Sequence, residues 1–580
     1  MNCTINREHA DNMCKIDIRF DKKYNEIKTD LLYYHNHSLY DEIVDRNADK
    51  LEKEVIWYKG TSLLYKDIFK TVDIYARSLK RLGYEKGDEI PICSSNIPQF
   101  VYIFLAASKI GAIINSFGEW FDENYCYDII KRSESRNLFV SSDYRMKFEK
   151  MLDGTDIKIW DFSIDLEKSN TEREFIGLAQ DVSIVNEDSI SLEDSFTVTY
   201  TSGTTNPGRP KAVLHAVRSY MYLARYKDSD VSGMPKMKNI RVFSHIPYYV
   251  HASLSTSIVD PLFQGGTIII EKEYNEESFP KAVIESKPNQ VCASVGFWLR
   301  LAEYLELHPN TDMSFLYIPT VSGEKLSAGE EKYLNYIAKK YKFGNAKAIF
   351  RFIPVTFSIG GGTTESSGVL VTLFKSLQEK SLKYHKLKPL GLQVMGCASV
   401  QLLDGTKIDN MEVGNAWFTG PCNMVRYYYD QEQMSSISFT DERGQLWVKM
   451  EAACVVQKNR YLRIVGRKND IIELTNGDNV SFCKIEQRLY EKVPELLSCV
   501  ILQNDNRIIL HLKNRPDMKW DEIKITSKLK SVLSKIGIVQ DNKEIYVRFH
   551  TSDYFKLAPS GKRDISVLHE QGIDKAVRLF

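Results

Sequence analysis

Long apolar runs are missing from this 580-residue chain, and so is any imbalance of charge. No apolar run approaches the ~20 residues that cross a bilayer, so we expect no membrane span. The first eight residues lack the apolar core of a signal peptide, so we expect no secretory leader. Lys and Arg total 77 against 76 Asp and Glu. Binding to nucleic acid by phosphate neutralisation favours a positive excess, so we expect no nucleic-acid partner.

A paired cysteine framework is also missing. The ten cysteines lie far apart and form no Cys-x-x-Cys motif, which argues against disulfides and against a structural zinc site. The contents of 43% hydrophobic and 26% charged residues are ordinary for a soluble globular protein. We therefore expect reduced thiols in a cytoplasmic enzyme.

Short strands alternate with amphipathic helices through the first part of the chain. Five apolar residues recur at steps of four and three and predict a one-faced helix that ends at Gly83: Ile68, Val72, Tyr75, Leu79 and Leu82. Strands are predicted at residues 90–93 and 138–140, with helices at 39–44, at 100–109 and around Asp128. Such alternation is typical of a layered α/β lobe with much parallel sheet.

A polar loop at residues 199–213 follows one apolar-leaning stretch and precedes another, so it is predicted to join two strands. It holds clustered hydroxyls, two glycines and a lysine, and no acidic residue. Backbone N–H groups, hydroxyls and a lysine can together surround phosphate oxygens, although a polar surface turn has a similar composition. The loop lacks the Gly-Lys-Ser/Thr ending of a Walker A motif. The candidate phosphate ligands are Thr201, Ser202, Gly203, Thr204, Thr205 and Lys211.

This loop resembles the phosphate loop of the adenylate-forming superfamily, which includes acyl-CoA synthetases, adenylation domains of peptide synthetases and luciferases. Further segments similar to that superfamily follow in order at residues 360–365, 414–421, 461–472 and 559–562. The resemblance extends from Leu39 to Asp564. It implies an α/β protein with a large multi-layer N-terminal lobe, residues 1–466, and a small mobile α+β C-terminal domain, residues 467–580.

By resemblance, the protein activates a small carboxylic acid with ATP as acyl-AMP, releases pyrophosphate, and transfers the acyl group to a thiol. We expect no carrier domain after Phe580, and we therefore expect the thiol to be that of coenzyme A or of the phosphopantetheine on a separate carrier protein. One alternative is a stand-alone adenylation enzyme that loads an acyl or aminoacyl group onto a carrier protein. Another is a degenerate member that binds nucleotide or acyl ligand without turnover.

The resemblance also implies roles for individual residues. Lys562 would bridge the carboxylate and the α-phosphate, Thr364 would approach the phosphates, and Glu365 would hold Mg²⁺. Magnesium prefers oxygen ligands and usually takes only one or two protein carboxylates. The remaining implied residues are Gly362 and Arg467 as nucleotide contacts and Asn469 as the hinge between lobes.

The chain departs from the superfamily pattern at two nucleotide contacts. Gly361 replaces a tyrosine expected against adenine, and Ala452 stands at the position of the aspartate that holds the ribose hydroxyls. Two vicinal hydroxyls need an acceptor, so we expect Glu451, one residue earlier, to take over.

The acid pocket is expected beside Tyr249 and His251. Amino-acid-activating members carry an aspartate where His251 stands, and a buried ammonium group needs a carboxylate partner. We therefore expect an acid without an α-amine. The alternative is that His251 only packs or caps. Asp260 could otherwise serve as the carboxylate partner of an ammonium group, but it falls nearly three helical turns further along the chain.

Overall fold

The computed structural model describes residues 13–15, 37–184, 189–201, 208–228, 239–344, 357–366, 370–372, 393–394, 397–429, 434, 436–442, 444–457, 461–504, 506–541, 543–550, 556–557, 562–564, 566–573 and 575–580. Within these residues a large α/β part built on three sheets precedes a smaller α+β part. The predicted fold class is confirmed.

One seven-stranded sheet carries the predicted phosphate loop. Its central strands are parallel, and two antiparallel strands complete one edge. In spatial order the strands are Arg426–Tyr427, Ala212–Ala216, Ser195–Tyr200, Ile113–Ser116, Glu89–Cys93, Asn137–Ser141 and Lys158–Phe162. The predicted strands at 90–93 and 138–140 both lie in this sheet, and the loop joins two of its strands as expected.

A nine-stranded sheet forms the second layer. Its six central strands are parallel, so their carboxyl ends meet at one edge. In spatial order the strands are Gln393–Val394, Leu370–Thr372, Ser358–Gly361, Ile318–Val321, Gln290–Ala293, Arg241–Ser244, Thr267–Ile270, Glu54–Tyr58 and Thr61–Leu64. Ligands of open α/β sheets bind outside the carboxyl ends of such strands.

A six-stranded antiparallel sheet completes the large part of the molecule. Its strands are Met13–Lys15, Cys397–Ile408, Met411–Thr419, Leu446–Gln457 and Ser438–Thr440, with Tyr461–Gly466 also paired to Leu446–Gln457.

Helices pack against the sheets through their apolar faces. Helix Tyr65–Arg81 buries Ile68, Val72, Tyr75 and Leu79 in the largest hydrophobic core, and Gly83 follows its end with a φ of +89° that glycine adopts without strain. The other helices of this part are Leu39–Arg46, Pro98–Ile110, Glu123–Arg132, Arg145–Met151, Asn170–Gly177, Val217–Asp228, His251–Ser253, Asp260–Phe263, Phe279–Ser286, Val295–Leu307 and Ala328–Lys340.

The smaller part has a core of its own, built from residues between Ile472 and Leu579. Its sheet has the strand order Leu496–Asn504, Arg507–Asn514, Glu544–His550 and Val577–Arg578, with helices Phe482–Lys492, Glu522–Ile536 and Ser566–Gln571. Two short pairs complete it: Ile471–Glu473 with Asn479–Ser481, and Lys556–Leu557 with Arg563–Asp564.

Gly360 and Gly361 belong to strand Ser358–Gly361, in which they pair with Val371 and Leu370. The segment from His251 to Phe263 is not one α-helix, since a π-helical turn, Leu254–Val259, interrupts it. In the described part, no helix is long and apolar enough to cross a membrane.

Candidate active site

The phosphate loop is closed at its base by paired backbone groups. The Thr201 N–H donates to the Lys211 carbonyl at 3.0 Å, and the Lys211 N–H donates to the Thr201 hydroxyl at 3.1 Å. Helix Glu123–Arg132 braces one side, because the Tyr125 hydroxyl donates to the Pro210 carbonyl at 2.7 Å. Thr201 and Lys211 therefore lie together. The other four predicted ligands, Ser202, Gly203, Thr204 and Thr205, lie outside the described residues.

Tyr427 connects this loop to Glu365. Strand Arg426–Tyr427 pairs with the strand that follows the loop, placing Tyr427 opposite Val213. The Tyr427 hydroxyl donates to Oε1 of Glu365 at 2.7 Å, and the ammonium of Lys211 lies 5.2 Å from the centre of the Tyr427 ring. The Met424 N–H also donates to the Glu365 carbonyl at 2.8 Å. Glu365 is thus held close to the loop lysine by both its side chain and its backbone.

Lys562 reaches this region from the smaller part of the molecule. A β-carbon built on Gly323 would lie 3.9 Å from Cε of Lys562, so the lysine stem runs beside the large-lobe backbone. Burial lowers the pKa of Lys562 below its ordinary value, and repulsion by Arg467 lowers it further, while Glu324 and Glu365 oppose the shift. The fold therefore brings Lys562, Arg467 and Glu365 within electrostatic reach of one another.

Glu324 and Glu365 lie beyond the ends of neighbouring parallel strands, Ile318–Val321 and Ser358–Gly361. This is the sheet edge at which ligands of α/β proteins bind. Thr364 and Glu365 form a short 3-10 turn there with Ser366, and Gly362 before it is exposed. The expected hinge residue, Asn469, is exposed in the 3-10 turn Lys468–Asp470 that follows Arg467.

The expected ribose contact lies on a strand irregularity. Met450 pairs with Ala416 and Ala453 pairs with Asn415, so Glu451 and Ala452 form a bulge between successive pairs. Bulges re-aim the strand locally and are frequent beside active sites. Ala452 is partly buried against the largest hydrophobic core. An apolar alanine can pack there, whereas a charged aspartate would have to be desolvated.

The two expected pocket residues are both buried but have different neighbours. The Tyr249 hydroxyl accepts a hydrogen bond from Trp120 Nε1 at 2.9 Å, whereas His251 stacks on His215 with ring centres 3.9 Å apart. Nδ1 of His251 lies 3.1 Å from the Tyr220 hydroxyl. Burial lowers the pKa of His251 to about 3, so this imidazole is neutral at physiological pH.

Sequence reasoning missed Tyr427 and the Gly323–Glu324 turn. A signal was present for the turn, since a glycine and an acidic residue follow directly after the apolar strand Ile318–Val321. For Tyr427 no local signal exists, because its role depends on a partner strand more than 200 residues earlier.

Comparison with known proteins assigns the chain to a family. The model of the AMP-binding enzyme family matches residues 44–429, more than half of the chain. The chain therefore belongs to the AMP-binding enzyme family.

Individual relatives agree with this assignment. The chain is similar to a 2-succinylbenzoate–CoA ligase of Oceanobacillus iheyensis, 25% identical over 450 residues that cover 77% of this chain and 82% of that protein. It is also similar to a 4-coumarate–CoA ligase of Humulus lupulus, 27% identical over 443 residues that cover 74% and 75% of the two chains.

The fold resembles that of an anthranilate CoA ligase solved in complex with anthranoyl-AMP. The TM-score is 0.72 at 16% identity, over 92% of this chain and 97% of the other. The resemblance to adenylate-forming enzymes is confirmed, and so is the general function expected from it: acyl-AMP formation followed by transfer to a thiol.

Proposed function

We propose that the protein is an acyl-CoA synthetase that activates a small carboxylic acid without an α-ammonium group. The single observation that carries the proposal is the position of Lys562 beside the large-lobe backbone at Gly323, at the sheet edge that also holds Glu365, with Arg467 and Glu365 within electrostatic reach of its ammonium. Two cations brought together at a partly buried site repel each other. A bound anion relieves that repulsion, and an ATP α-phosphate next to a substrate carboxylate would supply such an anion.

The donor set around Glu365 fits Mg²⁺. The described residues contain no group of three or more side chains that could hold a metal ion. A single carboxylate suits magnesium, which takes one or two protein carboxylates together with substrate phosphates. Tyr427 fixes the orientation of the Glu365 carboxylate. When bound, Mg²⁺ would supply neutralising charge to the phosphates.

The chain's own residues account for the two half-reactions. A carboxylate oxygen of the substrate bonds to the α-phosphorus of ATP, the bond from that phosphorus to the bridging oxygen breaks, and pyrophosphate leaves. Lys562 would hold the two approaching anions together, while Thr201, Lys211 and the intervening loop residues would hold the pyrophosphate. In the second half-reaction the thiol gives up its proton to solvent and its sulfur bonds to the acyl carbon, while the bond from that carbon to the phosphate oxygen breaks and AMP leaves. The CoA ligases among the relatives support CoA as the thiol.

We further propose that the two lobes divide between residues 466 and 467. The separate core of the smaller part and the exposed turn at Asn469 support this division. Rotation about Asn469 would withdraw Lys562 and open a path for the thiol.

Glu451 is proposed to accept the ribose hydroxyls. Glu451→Gln is expected to raise the KM for ATP about ten- to a hundredfold, because a hydrogen bond to a charged group is worth about 1.5–3 kcal/mol. Steady-state kinetics with varied ATP measure this change. Glu412→Gln, on the paired strand Met411–Thr419 and exposed, is the matched control and should leave the KM for ATP unchanged. Equal effects of the two substitutions would remove Glu451 from the nucleotide site.

The substrate class is tested by pyrophosphate exchange. Each amino acid is compared with its des-amino analogue, so that the side chain is held constant. We expect the des-amino acid to be preferred by about ten- to a hundredfold, because a neutral His251 gives an ammonium group no counter-charge. Consistent preference for the amino acids would favour a ligase that loads aminoacyl groups onto a carrier protein. No exchange with any acid would favour a non-catalytic binding protein.

A further inference from the structure

Arg563, the residue after Lys562, joins the two lobes through its whole guanidinium group. Its Nε donates to Oε2 of Glu324 at 2.7 Å, and a second nitrogen donates to Oε1 of Glu330. Its third nitrogen donates to the Lys325 carbonyl at 3.0 Å. All three acceptors belong to the large lobe: Glu324 and Lys325 follow strand Ile318–Val321, and Glu330 lies in the first turn of helix Ala328–Lys340.

This contact is shielded from solvent. The side chains of Arg563, Glu324 and Glu330 are 14%, 10% and 0% exposed. Exposed ion pairs contribute little, but removing one partner of a buried pair is strongly destabilising because a charge is left unpaired. Loss of the Arg563 side chain by substitution would therefore leave two shielded carboxylates without their cation in the docked arrangement of the lobes.

The two glutamates that bind Arg563 also accept hydrogen bonds from within the large lobe. Glu324 also accepts the backbone N–H groups of Val295, at 2.9 Å, and Gly296, at 3.4 Å, at the start of helix Val295–Leu307. Glu330 accepts the Ser327 N–H at 2.9 Å, in the capping box of helix Ala328–Lys340. Both carboxylates thus keep helix N-terminal donors when Arg563 leaves, which limits the cost of undocking.

Close backbone packing at Gly329 is a second feature of the same interface. A β-carbon on Gly329 would lie 2.2 Å from the Leu496 carbonyl oxygen and 2.3 Å from that of Leu497. The Ser327 hydroxyl donates to the Leu497 carbonyl at 3.0 Å. The first turn of helix Ala328–Lys340 therefore meets strand Leu496–Asn504 at a distance that only glycine permits.

We propose that Arg563 is a positioning residue that docks the small lobe on Glu324 and Glu330 and thereby sets how often Lys562 occupies the active site. The inference rests on the proposed role of Lys562 in adenylate formation. Because Lys562 and Arg563 are consecutive, fixing the guanidinium on the large lobe fixes the backbone from which the lysine extends. Release of Arg563 accompanies the change to thioester formation.

The lobe arrangement is measured first, in the full chain and without any substrate. Two dyes are attached through unnatural amino acids at Met146 in the large lobe and Ile523 in the small lobe, which are 83% and 84% exposed. Single-molecule energy transfer then reports the docked fraction. Arg563→Leu and Gly329→Ala are each expected to lower the ratio of docked to undocked molecules at least tenfold, with Arg563→Lys between Arg563→Leu and the unsubstituted protein.

The two half-reactions are measured next. Arg563→Leu should slow adenylate formation, followed by pyrophosphate exchange, about 100-fold. Thioester formation from supplied acyl-adenylate should change by less than about threefold, because docking is not needed for that step. Adding Glu330→Gln to Arg563→Leu should recover part of the adenylation rate, since the unpaired buried carboxylate is then gone.

Arg515→Gln is the matched control. Arg515 is also a little-exposed arginine of the small lobe, but its partner, Asp517, lies in the same lobe at 2.7 Å. It should change neither the docked fraction nor either half-reaction. An unchanged docked fraction in Arg563→Leu, or an equal loss in both half-reactions, would overturn the positioning role. Absence of pyrophosphate exchange in the unsubstituted protein would instead count against the proposed function, and the docked fraction would still decide the role of Arg563.

Discussion

Replacing Lys562 with alanine is expected to slow acyl-adenylate formation by about 10²–10³-fold, the usual cost of losing one positioned charge at a transition state. Thioester formation from supplied acyl-adenylate should be nearly unchanged, because the carboxylate and the α-phosphate are already joined in that substrate. Pyrophosphate exchange measures the first half-reaction, and release of AMP on addition of CoA measures the second. A large loss in the first half-reaction with little loss in the second is the result expected if Lys562 acts in adenylate formation.

Lys528→Ala is the control for this substitution. Lys528 is a lysine of the small lobe that pairs with Glu495 at 2.9 Å, within the lobe. We expect it to leave both half-reactions unchanged. If Lys562→Ala slowed both half-reactions equally, the lysine would be a structural residue and the active site would have to be sought elsewhere.

Replacing Glu365 with glutamine is expected to lower kcat/KM for ATP about 100-fold, because a charged metal ligand becomes neutral. The Mg²⁺ concentration needed for half-maximal pyrophosphate exchange should rise as well. Glutamine keeps an oxygen that can accept the hydrogen bond from Tyr427, so the substitution isolates the charge.

Tyr427→Phe gives the complementary comparison. It keeps the Glu365 charge and removes only the hydrogen bond that orients it, so we expect a loss of about tenfold. The Mg²⁺ requirement should then rise less than in Glu365→Gln. A Mg²⁺ dependence unaffected by Glu365→Gln would show that the carboxylate does not hold the metal.

These expectations share one structural basis. Lys562 and Glu365 come from different lobes, and the proposed docking contact of Arg563 with Glu324 and Glu330 helps to hold those lobes together. A protein that must run two reactions in one site benefits from a docking contact that is strong enough to assemble the site and weak enough to release it. The helix N-terminal donors that remain on both glutamates meet the second requirement.

The sequence by itself determined the layered α/β class and the helices that cover the sheets. Helix Tyr65–Arg81 is an example, since four of the five residues predicted to face the core are buried and the fifth, Leu82 just after the helix, is half-buried. Such predictions succeed because a helical or strand period records which face of a local segment is buried. The order of the motifs from the phosphate loop to Lys562 likewise indicated the family, which the comparison with known proteins confirmed.

Only the tertiary structure decided which distant residues meet. Arg563 and Glu324 are 239 positions apart, and neither carries a local pattern that predicts the other. Tyr427 reaches Glu365 because its strand pairs beside the phosphate loop, and Glu324 lies near Glu365 because their strands are parallel neighbours. The hydrophobic periodicity of the sequence likewise does not predict the π-helical turn after His251 or the bulge at Glu451. The physical reason is that hydrophobic periodicity specifies which face of a segment is buried, whereas strand order and lobe docking specify what that face is buried against.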